Sequence, residues 1–123
     1  MAPGTALSTI LVVDDEPSIR QLVSSVLSAS GYKVVEAETP EHALQIMSGD
    51  ASVNLLVTDI LMPDLNGNEL ARRLMADWPD LKVLFISGYE PAAKVCVTGT
   101  LFLQKPFRVP DLLESVGQLL RPD

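Results

Sequence analysis

Apolar residues along this chain fall into two alternating rhythms. The first is a set of short runs rich in β-branched residues: Thr9–Val13, Lys33–Ala37, Leu55–Asp59, Lys82–Ser87 and Thr100–Leu103. Three of these are nearly continuous apolar runs, the pattern of parallel strands buried on both faces. The second rhythm is helical. Ile19, Leu22, Val23, Val26 and Leu27 fall at i, i+3, i+4, i+7 and i+8, on one face of a helix. Pro17 suits the first turn of that helix and Gly31 its C-terminal end. Pro40–Ser48, Asn68–Trp78 and Val109–Leu120 are further predicted helices; Leu112, Leu113, Val116, Leu119 and Leu120 form the stripe of the last. Between Gly88 and Gly99, Pro91 and the β-branched residues leave room for one or two turns at most, over Pro91–Val97. Strand and helix therefore alternate, which predicts a parallel sheet with helices on both faces and right-handed crossovers. Residues 1–8 read as a flexible leader and 9–121 as one domain.

Composition narrows the functional classes. A chain of 123 residues, 47% apolar, has enough material for one domain with a real core. Its formal net charge of −7 disfavours direct binding to nucleic acid or to an anionic membrane surface. Cys96 is the single cysteine, so no intrachain disulfide framework exists, and it reads as a small apolar packer. His42 is the single histidine, which argues against a zinc site or a histidine-based triad, and its helix position predicts exposure. Met1–Thr9 carries no Lys or Arg, the next apolar run stops at Asp14, and no run approaches the ~20 residues of a membrane helix. The expectation is a cytoplasmic protein without a signal peptide.

One feature resists a purely structural account. Ile10-Leu11-Val12-Val13 runs directly into Asp14-Asp15-Glu16, although repulsion and desolvation oppose three carboxylates at the end of a buried strand. Ligands in open α/β sheets bind outside the carboxyl ends of the strands. Strand one ends at Asp14 and Asp15, strand three at Asp59, strand four at Ser87, and strand five leads into Lys105 and Pro106. Each has a bland alternative: helix capping by Asp14, Asp15 and Glu16, a loop-capping Asp59, a Ser87-Gly88 turn, a solvated Lys105. Together they place three carboxylates, a hydroxyl and an ammonium on one rim. Such a rim suits a hard divalent cation such as Mg²⁺. It also suits a carboxylate nucleophile that accepts a phosphoryl group. The Gly-rich loop of nucleotide-binding proteins is absent after strand one.

Asp14-Asp15, Asp59-Ile-Leu-Met-Pro63 with Gly67 four residues later, Ser87-Gly88 and Lys105-Pro106-Phe107 together resemble the receiver domain of two-component response regulators, a chemotaxis-regulator-like family, over about residues 9–121. The resemblance implies a flavodoxin-like, doubly wound (βα)₅ three-layer sandwich of strand order 2-1-3-4-5. It implies Asp59 as phosphoacceptor, with a histidine kinase or histidine phosphotransfer protein as donor. Asp15 and Asp59 would ligate Mg²⁺ directly, Asp14 through water, and the Leu61 backbone carbonyl would complete the protein's share. Lys105 would pair with the phosphoryl group. Ser87 and Phe102 would be the switch pair, acting on the face made by the weak fourth helix, strand five and the last helix. The Lys105–Pro106 bond would be cis. A self-catalysed phosphorylation substrate is implied, rather than an enzyme that turns over an external metabolite.

The chain also departs from the family pattern. The stretch between Ser87 and Lys105 is short, so the fourth helix should be shortened or irregular. Phe102 replaces the commoner tyrosine, and a buried core role remains open for it. Leu61 and Tyr89 would limit water access and slow hydrolysis of the phosphoryl group. Gly67 reads as serving the turn before the third helix, and Trp78 as closing that helix against the sheet. Phe85-Ile-Ser-Gly-Tyr89 and Phe102-Leu-Gln-Lys-Pro-Phe107 are especially similar to receivers of hybrid sensor histidine kinases. That leaves the output open between a downstream protein target and a kinase domain of the same chain. Two other functions compete: a pseudo-receiver interaction module, and a Mg²⁺-dependent aspartyl phosphatase. The second lacks an acid–base carboxylate at position 61 and room for a substrate cap.

Overall fold

The computed structural model describes residues 8–49, 52–60, 67–88 and 100–120. Within them the order is β1 (Thr9–Val13), α1 (Pro17–Ala29), β2 (Lys33–Ala37), α2 (Pro40–Ser48), β3 (Leu55–Asp59), α3 (Gly67–Asp77), β4 (Lys82–Ser87), β5 (Thr100–Gln104) and α4 (Val109–Leu120). The five strands are all parallel, in the order β2-β1-β3-β4-β5. The parallel sheet expected from the alternation is therefore present, in the doubly wound order that the resemblance implies. The one or two helical turns expected over Pro91–Val97 fall outside the described residues, as do residues 1–7 of the expected leader.

Strand alternation divides the core between the two faces of the sheet. Leu11, Val13, Leu56, Val83 and Phe85 pack with Ala43 and Met47 of α2 and Leu70, Ala71 and Leu74 of α3. Ile10, Val12, Leu55, Val57, Leu84 and Ile86 pack with Val23 and Leu27 of α1 and Leu112, Val116 and Leu119 of α4. All five residues of β1 are buried, as are four of the five in β3 and five of the six in β4. β2 and β5, at the sheet edges, are mostly half-buried or exposed.

The helix boundaries follow local chemistry. Gly31 takes φ = 102° after α1, a conformation that favours glycine at a helix end. Thr39 caps α2, its hydroxyl accepting from the His42 N–H at 3.1 Å, with Pro40 opening the helix. His42 itself is exposed, as expected. α3 starts at Gly67, one residue earlier than the periodicity predicts, and ends before Trp78. Trp78 packs half-buried against the α2/α3 core, and its N–H still donates to the Leu74 carbonyl at 2.8 Å. β5 runs one residue further than predicted because Gln104 stays in register with Ser87, and the Lys105 N–H then donates to the Ser87 carbonyl at 2.7 Å.

Candidate functional site

Five parallel strands end on one side of the sheet, so the side chains that follow them share one rim. Val13 pairs in register with Thr58 and Asp59 with Ile86. The chain therefore emerges from β1, β3 and β4 at nearly the same level, and Lys105 follows β5 beside them.

Oxygen atoms of Asp14, Asp15 and Asp59 all lie within 4.8 Å of one another. Lys105 reaches into this cluster, its Nζ 2.9 Å from Asp59 Oδ2 and 3.8 Å from Asp14 Oδ2. Asp14 is buried at 3% exposure, Asp59 is half-buried and Asp15 is exposed. The cluster thus has a closed floor and an open side. Ser87 is buried at 2% at the end of β4, while Phe102 on β5 is 37% exposed. This exposure excludes the fully buried core role that the sequence left open for Phe102. The Lys105–Pro106 bond is cis, as the motif implies.

Helix capping does not account for the acidic hook. Asp14 Oδ1 accepts from the Glu16 N–H at 2.9 Å, a turn ahead of the helix, and Glu16 at the N-cap position of α1 makes no side-chain cap bond. Asp14 and Asp15 gather with Asp59 instead, and Lys105 reaches Asp14 and Asp59, while Glu16 Oε2 accepts from the Ser18 hydroxyl at 3.2 Å.

Asp14 and Lys105 each feel the charges around them. Burial raises the pKa of Asp14. The Glu16 N–H and the nearby Lys105 oppose that rise, and the negative Asp59 and Asp15 add to it. For Lys105, burial alone would lower the pKa. The hydrogen bond to Asp59 and the attraction of Asp14, Asp59 and Glu16 outweigh it, and the net shift is upward. The lysine therefore stays charged among acids that repel one another. Three hard oxygen donors with one open side fit a divalent cation that keeps part of its water.

Two residues join the site that the sequence reading placed elsewhere or passed over. Gly67 does more than serve a turn. A Cβ there would collide with the Asp59 carbonyl oxygen and crowd the Asp59 carbonyl carbon and Ile60 Cα. Its N–H also donates to the Ile60 carbonyl at 2.8 Å. The signal was present as a glycine following the Asp59 motif, but the contact is tertiary. Arg20 donates from Nη1 to the Asp14 carbonyl at 2.9 Å. Its sequence signal was weak, since an arginine in the first turn of a helix is ordinarily solvated. Leu61, Tyr89 and Cys96 lie outside the described residues.

This is a doubly wound α/β domain with an acidic, lysine-bearing rim. Its residues 10–117 match the response regulator receiver domain family. The chain is 31% identical over 118 residues to the response regulator receiver protein CpdR of Brucella abortus, covering 93% of this chain and 98% of that protein. It is 35% identical over 118 residues to the sensor kinase CckA of the same organism, covering 92% of this chain and 12% of the kinase. A crystal structure of the receiver domain from the hybrid histidine kinase CckA superposes with a TM-score of 0.82 at 37% identity, covering 93% of this chain and 100% of that one. The chain belongs to the receiver domain family of two-component response regulators. Receiver domains are generally phosphorylation substrates that bind Mg²⁺ at an acidic pocket and meet histidine kinases or phosphotransfer proteins. Among the described residues, no helix is long and apolar enough to cross a membrane.

Proposed function

We propose that Asp59 is the phosphoacceptor. One oxygen of its carboxylate attacks the phosphorus of a phosphohistidine in a histidine kinase or phosphotransfer protein. A P–O bond forms, the P–N bond breaks, and the electron pair returns to the imidazole. The observation that carries this reading is the Lys105 ammonium 2.9 Å from Asp59 Oδ2, beside two further carboxylates whose oxygens lie within 4.8 Å. Asp14, Asp15 and Asp59 are the residues that would hold Mg²⁺, with the Leu61 carbonyl assigned by family resemblance alone. When bound, Mg²⁺ supplies positive charge to the phosphoryl oxygens. Lys105 supplies a second positive charge on the same side.

Phosphorylation adds about −1.5 to −2 charge at this rim. In our reading, Ser87 moves to donate to a phosphoryl oxygen, and Phe102, now exposed on β5, turns inward. The face around β5 and α4 then carries the signal to a downstream protein or to a kinase domain of the same chain. Similarity to the CckA receiver supports a hybrid-kinase setting.

The test is incubation with Mg²⁺ and acetyl phosphate followed by intact mass measurement, beside Asp59→Ala. The expected result is a gain of one phosphoryl group in the native protein alone, lost on chelation of Mg²⁺. A protein that gains none and shows no Mg²⁺ binding by calorimetry is a pseudo-receiver.

A further inference from the structure

Arg20 touches the backbone of the site although it contributes no side chain to the acidic cluster. It lies at the end of the first turn of α1, where its N–H donates to the Glu16 carbonyl at 3.0 Å. Its side chain folds back toward the sheet and is 12% exposed. The guanidinium then makes two directed bonds. Nη1 donates to the Asp14 carbonyl at 2.9 Å, and Nε donates to Glu36 Oε1 on β2 at 3.1 Å.

The Asp14 carbonyl belongs to the peptide that joins Asp14 to Asp15, two of the three clustered carboxylates. On one side of it, the Asp14 N–H donates to the Ala37 carbonyl at 3.3 Å, the last rung between β1 and β2. On the other, the Glu16 N–H donates to Asp14 Oδ1 at 2.9 Å. Arg20 supplies the third point. With all three in place, this peptide cannot rotate without breaking a charge-assisted bond, and its orientation decides where the exposed Asp15 carboxylate points. Glu36 balances the guanidinium and locks its fork, which a lysine, a single point charge on a flexible stem, cannot reproduce.

We infer that Arg20, braced by Glu36, is a positioning residue for the cation site: it fixes the Asp14–Asp15 peptide so that both carboxylates face one ion. The inference rests on the reading of Asp14, Asp15 and Asp59 as the Mg²⁺ ligands. Charge and geometry predict opposite signs here. As a nearby positive charge, Arg20 repels a dication, so its removal would tighten Mg²⁺ binding. As a clamp, its removal loosens the ligands and weakens binding.

The experiment is calorimetric titration of Mg²⁺ into the native chain and into Arg20→Met, Arg20→Lys and Glu36→Gln, each checked by thermal melting in chelator. Arg72→Met serves as a charge control, because Arg72 is exposed and pairs with Glu69 within α3. Arg20→Met and Arg20→Lys should each weaken Mg²⁺ binding by about 10-fold or more, the usual effect of losing a group that orients metal ligands. Glu36→Gln should show a smaller loss of the same sign, and Arg72→Met none. Unchanged or tighter binding in folded Arg20→Met and Arg20→Lys overturns the inference. Should Arg20→Met fail to fold, native-like binding by Arg20→Lys and Glu36→Gln overturns it equally. A native protein that binds no Mg²⁺ removes the underlying reading, and the clamp with it.

Discussion

Asp14 and Asp15 are adjacent and chemically identical, yet one is buried and the other exposed. The difference comes from where the chain leaves β1, and it gives Asp14 a thermodynamic signature. Burial holds its pKa above the ordinary 3.8, so the ionised form is penalised in the fold relative to the unfolded chain. That penalty is complete at neutral pH and fades as pH falls through the raised pKa toward 3.8 and below. In chelator at neutral pH, Asp14→Asn should therefore melt a few degrees above the native protein, since Asn Oδ1 can still accept from the Glu16 N–H. The gap should close on acidification. Added Mg²⁺ should reverse the order, because the variant has lost a ligand. Thermal melts at several pH values, with and without Mg²⁺, measure all three effects.

At the level of elements, the junction of β3 with α3 is set by one missing side chain. Gly67 begins α3 against the Asp59 carbonyl, so the helix seats directly on the strand end that bears the proposed phosphoacceptor. Gly67→Ala should lose about 1–3 kcal/mol by overpacking. It should also lower acetyl-phosphate labelling of Asp59, because the atom a Cβ would strike is Asp59's own carbonyl oxygen. Gly117 in α4 is the contrast: nothing lies within 4 Å of a Cβ built there. Gly117→Ala should gain roughly 0.5–1 kcal/mol by restricting the unfolded chain, with labelling unchanged. Urea midpoints and labelled fractions for the two variants separate close packing from simple helix propensity.

Across the whole molecule, a single sheet serves two cores, and alternate residues of the same strands fill each. Neither face can lose its packing without releasing the strands that support the other. Leu74→Ala and Leu112→Ala empty fully buried positions on opposite faces and should each cost about 2–5 kcal/mol. Both variants should still unfold in one transition, coincident by far-ultraviolet circular dichroism and by Trp78 fluorescence. The two losses should add to within about 0.5 kcal/mol, since the side chains share no neighbour across the sheet.

Amino-acid order alone pointed to the described elements, because short runs rich in β-branched residues favour strands over helices, because apolar residues at i, i+3, i+4 and i+7 line one helix face, and because Pro17, Pro40 and Gly31 mark helix ends by backbone geometry. It also determined which residues reach the rim: Asp14, Asp15, Asp59, Ser87 and Lys105 each follow or end a strand, and parallel strands deliver their ends to one side. Only the tertiary structure decided what those residues do to one another. The contact of Lys105 with Asp59 joins segments 46 residues apart, and the close approach of Gly67 to the Asp59 backbone depends on how the β3–α3 connection closes. The exposure of Phe102 follows from the position of β5 at the sheet edge. The Arg20 bonds depend on the distance from α1 to β2, and no periodicity encodes a distance between elements. Pattern records which way a side chain faces; packing sets what it meets there.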